Sequence, residues 1–110
     1  MQRDRAYLLK VIEDIKDIEI FIKNISYSEF LADTMLKKAV CMSLINIGES
    51  VKGLSDDIKL KNKDIPWKKA IALRDIVAHK YGTIDFEIIW QTINEDIHSL
   101  KEAIKQILNT

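Results

Sequence analysis

The chain has 110 residues, which is the usual size of one domain, so we expect a single domain over residues 1–110. Hydrophobic residues make up 47% of it, enough for a core, while only three glycines and one proline disfavour a turn-rich β fold. Seventeen basic and seventeen acidic residues cancel, which excludes a whole-molecule field that attracts nucleic acid.

The cysteine content and the apolar segments indicate the cellular compartment. A single cysteine, Cys41, excludes an intrachain disulfide. No basic-then-apolar leader precedes the first helix, and no apolar run approaches the ~20 residues that span a bilayer. We therefore expect a cytoplasmic protein without a membrane partner.

The first predicted helix runs from Arg3 to about Asn24. Its apolar residues recur at steps of three and four, the pattern of an amphipathic helix with one buried face. The residues on this face are Leu8, Val11, Ile12, Ile15, Ile18, Phe21, Ile22 and Ile25.

A second helix is predicted from a capping box to a glycine stop. Ser26 can accept from the third amide of the helix, and Glu29 can reach back to the amide of Ser26. The helix then runs through Phe30, Leu31 and Met35 to Val51, and Gly53 ends it. Because its apolar residues wrap widely around the axis, we expect it to be the central, most buried element.

Gly48 interrupts this second helix at a cost of ~1 kcal/mol relative to alanine. One explanation is chance tolerance. The other is that a second helix crosses closely at Gly48 and leaves no room for a side chain, and we favour this one.

A short helix and a polar loop are predicted next. Ser55 and the two aspartates after it can cap a turn that ends near Leu60. Residues 59–64 are polar and are expected to form a loop. Asp64 is the lone acidic residue among five lysines of this region: Lys59, Lys61, Lys63, Lys68 and Lys69. A solvated loop and a surface that contacts a polyanion both remain open.

Two more helices complete the chain. One opens at Pro66, a residue suited to a first helical turn, and ends at Gly82. The last begins near Asp85, and His98 on it is expected to be a surface histidine without a role. Their core residues are Trp67, Ala70, Ile71, Leu73, Ile76 and Val77, then Phe86, Ile89, Trp90, Ile93, Ile97, Leu100, Ile104 and Ile107. Four substantial helices and one short one predict an all-α, antiparallel four-helix bundle.

The most distinctive chemistry lies at the end of the Pro66 helix. Arg74 and Tyr81 fall within a narrow stripe, and Asp75 lies four residues before His79, so its carboxylate can hold the imidazole in one tautomer. Arg74 and His79 are about 140° apart on an ideal helix. They can share a cleft if the stripe is wide, or if the helix unwinds before Gly82. A guanidinium, an imidazole and a phenol on one segment indicate a phosphate site.

This segment, Arg74-x4-His79-x-Tyr81, resembles the signature of HepT-like toxins within the HEPN superfamily. Three further segments fall in the family's order, so the resemblance spans nearly the whole chain: Ile47-Gly48-Glu49, Ile65-Pro66-Trp67, and Ile84-Asp85 followed by Trp90. The resemblance implies a HEPN-like homodimer that cleaves RNA without a metal ion. It also implies a partner, an MNT-type nucleotidyltransferase antitoxin that adds AMP to the motif tyrosine, here Tyr81.

The residues can be given roles on this basis. Cleavage without a metal ion requires a proton carrier and a phosphate clamp, for which we assign His79 as general base or acid and Arg74 as the clamp. Asp75 would orient His79, and Tyr81 would hydrogen-bond or stack in the cleft. One protomer supplies only one histidine, and a cleft across a two-fold axis would supply a second. Asp75 stands where the family has an amide, and its charge could lower affinity for RNA.

The resemblance extends the site to neighbouring charges. It places Glu49 near the site, orienting a basic group, although a solvated helix residue is the simplest interpretation of this position. We expect RNA contacts from Lys68, Lys69 and Lys80.

Other chemistries find no support in the sequence. There is no His-Glu-x-x-His, and one cysteine with two distant histidines makes no zinc set. There is no glycine-rich phosphate loop. Cys41 lies on the apolar side of its helix, where a thiol is inert. We therefore expect neither a metal nor a cofactor.

Two alternatives remain open. The chain could be a non-catalytic helical dimer that docks a nucleotidyltransferase or presents Tyr81 to it. From spacing alone, Arg74 and Asp75 could also be surface ions, with His79 interacting favourably with the helix C-terminus.

Overall fold

The fold is a bundle of α-helices. A computed structural model describes residues 2–109, and this part of the chain contains no β-strand. The helices are α1 (Gln2–Phe21), α2 (Tyr27–Ala32), α3 (Thr34–Lys52), α4 (Asp56–Lys61), α5 (Trp67–Lys80), α6 (Phe86–Gln91) and α7 (Ile97–Leu108). A 3₁₀ turn (Tyr81–Thr83) follows α5, and a π-helical turn (Thr92–Asp96) joins α6 to α7. The all-α, HEPN-like prediction is confirmed.

Helix α3 is the centre of the bundle, as predicted. It packs against both α1 and α5, more extensively than any other pair of elements in the described chain, and α7 packs on α1. Its buried face carries five apolar side chains: Val40, Cys41, Leu44, Ile47 and Val51. Since α3 contacts two helices at once, its side chains are shielded on more than one side.

Helices α1 and α3 run antiparallel, and their register is set by the ends of the two helices. The Asp4 carboxylate accepts hydrogen bonds from the amide (2.8 Å) and the hydroxyl (2.7 Å) of Ser55, just beyond α3. These bonds, the hydroxyl first, lower the pKa of Asp4. One turn later the ring of Tyr7 lies against Gly53, where a β-carbon would come within 2.6 Å of the ring.

The prediction of one long second helix is wrong, because Asp33 divides it. The Asp33 side chain accepts from the amide of Leu36 (3.0 Å) and thereby caps α3, while its own amide bonds back to Phe30 at the end of α2. The capping box at the start of α2 is confirmed, with both bonds between Ser26 and Glu29 present.

Several other expectations need correction. Residues 59–61 belong to α4, capped by Ser55, and are not loop. Pro66 is the N-cap of α5 rather than its first helical residue. Four residues expected in the core have exposed side chains: Phe21, Leu31, Met35 and Ile76. Phe21 ends α1, the next two flank the break at Asp33, and Ile76 borders an open apolar groove of about 580 Å³ between α5 and α7.

His98 was expected to be a surface histidine without a role, and the structure gives its half-exposed side chain a contact that the sequence did not indicate. Its Nδ1 atom lies 2.7 Å from Glu19 on α1, and Lys101 donates to both oxygens of the same carboxylate at 2.7 and 2.8 Å. Burial disfavours the charged form of Glu19, but Lys101 and then His98 outweigh it and lower the pKa of Glu19. The cluster ties α7 to α1.

No helix in the described range is both long enough and apolar enough to cross a membrane.

Candidate functional site

The site is built on a close approach of α3 and α5 at Gly48. A β-carbon at Gly48 would overlap the β-carbon of Arg74, lie 2.8 Å from its γ-carbon and lie 3.0 Å from the carbonyl oxygen of Ala70. The predicted close crossing is therefore confirmed, with α5 as the crossing helix. Because glycine leaves this space empty, the Arg74 side chain can extend across α3.

Two carboxylates hold the guanidinium of Arg74. Its Nε atom lies 2.6 Å from Glu49 of α3, and its Nη1 atom donates to Asp75 at 2.9 Å. The Nε atom is buried and its contact with Glu49 lacks hydrogen-bond alignment, so that contact is an ion pair. The bond to Asp75 and then the charge of Glu49 raise the pKa of Arg74. The two carboxylates thus fix the orientation of the guanidinium and keep it positively charged.

Arg74 nevertheless keeps donors for a ligand. A guanidinium carries five N–H donors, and the two carboxylates occupy Nε and one donor of Nη1. Within residues 2–109, no hydrogen bond engages the other donor of Nη1 or the two of Nη2. These three donors suit phosphoryl oxygens, which arginine binds through paired N–H groups.

His79 lies in the last turn of α5, with an exposed side chain. The Asp75 carboxylate bonds Arg74 instead of His79, and the described part of the chain contains no hydrogen bond or ion pair of His79. The imidazole is therefore open to solvent and to a ligand. Its orientation by Asp75 stays a prediction.

Tyr81 begins the 3₁₀ turn after α5 and is half-buried. Its ring packs edge-on against Phe86, with centroids 5.7 Å apart and planes at 77°. Burial, followed by the influence of Cys41, raises the pKa of the Tyr81 phenol. Cys41 itself is buried, which raises the pKa of its thiol to about 11. The Tyr81 ring is thus packed against the core and against Phe86.

Lys37 was missed by sequence reasoning. Its ammonium lies 4.8 Å from the centre of the Phe86 ring, the same ring that Tyr81 contacts. A cation–π contact between distant helices leaves no local signal, since it needs neither a motif nor a spacing. It adds a positive charge on the Tyr81 side of the site.

The structure brings some of the predicted residues together and leaves others apart. Arg74, Asp75 and Glu49 are in contact, whereas no hydrogen bond joins Arg74 to His79 or Tyr81 in the range 2–109.

The predicted RNA-binding lysines lie at both ends of α5. Lys68 and Lys69 are exposed in its first turn and Lys80 in its last, and none forms an ion pair among the described residues. Lys68 lies within about 20° of His79 around the helix axis, whereas Lys69 lines the apolar groove beside α7. Of these three lysines, Lys68 is the one that lies on the same face of α5 as His79.

No group of three or more histidine, cysteine, aspartate or glutamate side chains that could hold a metal ion occurs in residues 2–109.

Known proteins resemble this chain over almost its full length. The family model described as "Ribonuclease HepT-like" matches residues 11–107. A Methanocaldococcus jannaschii protein named "Putative RNase MJ0127" is 43% identical over 107 residues, covering 94% of this chain and 88% of its own. A Thermococcus cleftensis protein named "Probable ribonuclease HepT" is 36% identical over 103 residues, covering 94% of each chain. No solved structure matches significantly.

Proposed function

The chain belongs to the HepT-like ribonuclease family, and from this premise we propose that it is the RNA-cleaving toxin of a toxin–antitoxin pair. The observation that carries the proposal is Arg74, which lies across Gly48 with three donors open to a ligand. The names of the relatives, which describe ribonucleases, support an RNA substrate. We place the activity in the cytoplasm, where RNA is available.

In the proposed reaction the 2′-oxygen of a ribose attacks the adjacent phosphorus. His79 accepts the 2′-hydroxyl proton or protonates the departing 5′-oxygen, each step contributing about 10²–10⁴ in rate. Arg74 stabilises the negative charge that accumulates on the phosphoryl oxygens. These side chains supply the acid, base and electrostatic functions that the step requires, so no metal ion is invoked. Lys68, Lys69 and Lys80 would hold flanking phosphates.

We further propose that a homodimer completes the site. Met35 and Met42 of α3 are 83% and 57% exposed, and they lie at seven-residue steps from Glu49, the partner of Arg74. Side chains seven apart lie on one stripe of a helix, with a drift of about 20°. An exposed methionine stripe that leads into the site is typical of a protein contact surface. A second protomer on this stripe would bring a second His79 to the cleft.

The proposed antitoxin is an MNT-type nucleotidyltransferase that modifies Tyr81. The phenolic oxygen would attack the α-phosphorus of ATP, lose its proton and displace pyrophosphate. Because the pKa of Tyr81 is raised, the transferase must supply the base. The new phosphate would lie on the side of the cleft that carries Lys37, where its charge and bulk would oppose RNA entry.

A second candidate is a non-catalytic dimer that docks the nucleotidyltransferase. The observation in its favour is the pair of carboxylates on Arg74, which together outweigh the charge of the guanidinium and weaken attraction for phosphate.

Cleavage by the purified chain tests the two candidates. We expect the wild-type protein to cleave single-stranded RNA in the presence of EDTA. His79→Ala and Arg74→Ala should lose at least ~100-fold in rate. His98→Gln is the matched histidine control and should cleave normally. Cleavage that survives unchanged in His79→Ala would exclude the role of His79, and a wild type that does not cleave RNA but still binds the nucleotidyltransferase would exclude the nuclease.

A further inference from the structure

A second concave site lies between α4 and the start of α5. It is a pocket of about 620 Å³, within the range of small-molecule pockets, and its walls include Leu60, Pro66 and Trp67. Trp67 is rigidly placed, since the residue is only 6% exposed and its indole N–H donates to the carbonyl of Asn62 at 3.1 Å. Leu60 is 64% exposed at the pocket edge. The pocket therefore has a fixed apolar floor and an open apolar rim.

Three lysines surround this floor: Lys59, Lys63 and Lys68. Within the described part of the chain, no carboxylate lies within ion-pair distance of any of them, whereas the neighbouring Lys61 is paired with Asp57 at 3.2 Å. Asp56 is the only acidic residue of the lining. Unpaired ammonium groups around an apolar depression suit a ligand with a phosphate and a flat ring, which is the chemistry of a nucleotide.

The pocket lies on the same face of α5 as His79. Lys68 and His79 are eleven residues apart on α5, which places them about 16 Å apart along the helix axis and within about 20° around it. Each nucleotide of a stacked strand advances about 3.4 Å along the strand axis, so a stacked strand covers this distance in about five nucleotides. One strand could therefore occupy both places along the same face of α5.

We propose that this pocket binds one nucleotide of a single-stranded RNA, about five nucleotides from the bond that is cut. The base lies against Leu60 and Pro66, and the phosphate lies among Lys59, Lys63 and Lys68. The inference rests on the proposed ribonuclease function and adds to it a substrate subsite. We therefore expect the affinity for RNA to depend on its length, because a fragment that is too short to reach the pocket from the cleavage site gains no binding energy there.

Binding of non-cleavable 2′-O-methyl oligoadenylates tests the subsite without depending on catalysis. The pocket variant is Lys59→Gln/Lys63→Gln. The matched control is Lys16→Gln/Lys23→Gln, which removes two exposed lysines, one within α1 and one just after its end. The pocket variant should bind an oligomer of about twelve nucleotides about tenfold more weakly than wild type. The slope of log K against log salt should shrink by about 1.4. The control should stay within about twofold.

Two further binding measurements test the dependence on RNA length and the apolar contact with the base. An oligomer of about four nucleotides should bind wild type and pocket variant equally. Leu60→Gln should weaken the long oligomer about threefold at unchanged salt slope, because it removes apolar contact and no charge. Since Leu60 is exposed, this variant should fold normally.

The following outcomes would overturn the proposal. Equal binding of the long oligomer by the pocket variant and wild type would exclude the subsite. AMP or inorganic phosphate that binds wild type as tightly as the long oligomer, and is lost in the pocket variant, would make this a site for a free ligand instead. If wild type fails to cleave RNA but shows the length dependence, the ribonuclease proposal fails and the nucleotide subsite stands.

Discussion

Gly48 of α3 and Arg74 of α5 meet where no methyl group fits between them, since a β-carbon on Gly48 would overlap that of Arg74. The backbone of α3 is therefore part of the site, and it determines where the guanidinium lies. Glu49, the next residue of α3, pairs with the Nε atom of the same side chain. Packing and electrostatics at Arg74 thus depend on two consecutive residues of another helix.

Gly48→Ala should displace α5 and move Arg74. We expect a loss of about 1–2 kcal/mol in the free energy of unfolding, because the strain of overpacking exceeds the gain of alanine in helix propensity. RNA cleavage should fall by at least ~10-fold. Urea unfolding and the cleavage rate measure the two effects. Gly82→Ala is the control, because a β-carbon at Gly82 would have no neighbour within 4 Å in the part of the chain that the structure describes. A Gly48→Ala protein as stable and active as wild type would contradict the close crossing.

Asp75→Asn should increase the affinity for RNA. The change removes one of the two negative charges on Arg74 while keeping an oxygen that can accept from Nη1. Because the carboxylate is about half exposed and screened by solvent, we expect a gain of only about two- to fivefold at low salt. Binding of a 2′-O-methyl oligomer at two salt concentrations measures it. Asp17→Asn, on the exposed side of α1, is the charge control, and an equal gain in that variant would show a general charge effect.

Asp14 is a buried carboxylate whose Oδ2 atom has no hydrogen-bond partner among residues 2–109. Burial raises the pKa of Asp14 above its usual 3.8. A carboxyl group with a raised folded-state pKa favours the folded state most fully below the unfolded-state pKa, and this contribution is lost as the pH rises through the folded-state pKa. Asp14→Asn should therefore be about 1 kcal/mol more stable than wild type at pH 7. The difference should shrink as the pH falls through the raised folded-state pKa and disappear below the usual value of 3.8.

Urea midpoints between pH 3 and pH 7 measure the Asp14 effect. Asp64→Asn is the control, because Asp64 is an exposed residue before α5 that does not contribute to the raised pKa of Asp14, and it should leave the profile of wild type unchanged. An Asp14→Asn protein that is less stable than wild type at pH 7 would show that the carboxylate is stabilised by an interaction absent from the isolated chain.

Met35→Lys/Met42→Lys should abolish the proposed dimer without unfolding the protomer. Both side chains are exposed, so the folded chain loses little contact, while two charges on the stripe make association unfavourable. We expect a monomer by analytical ultracentrifugation and a cleavage rate at least ~100-fold lower, because each monomer has one His79. Leu9→Lys is the control, since Leu9 is an exposed apolar residue of α1. A monomeric variant that cleaves at the wild-type rate would place the whole reaction in one chain.

The helices follow from local features of the sequence, and most of their ends were predicted to within a few residues. The capping box of Ser26 and the cap at Ser55 each involve residues three apart, so their bonds are readable from spacing. The break at Asp33 is equally local but was missed. An aspartate within a long apolar pattern is as compatible with a solvated helix position as with a cap, and only the observed bond to Leu36 distinguishes them.

The arrangement of the site was less accessible to prediction. Asp75 lies within reach of both Arg74 and His79, and spacing alone favours His79 because residues four apart face each other on a helix. In the folded chain Arg74 is held against α3, which brings its Nη1 atom to Asp75. The partner of His98 is 79 residues away, too far for any local pattern to indicate it.

The amino-acid sequence by itself determined the all-α class, most helix ends and the segment that carries Arg74, His79 and Tyr81. These depend on periodicity and on bonds within about four residues. Only the tertiary structure decided that Arg74 crosses α3 at Gly48, that Glu49 and Asp75 share its guanidinium, and that Tyr81 packs on Phe86. The reason is physical: such contacts depend on how closely and in what register two helices pack, and many registers are compatible with the same apolar stripes.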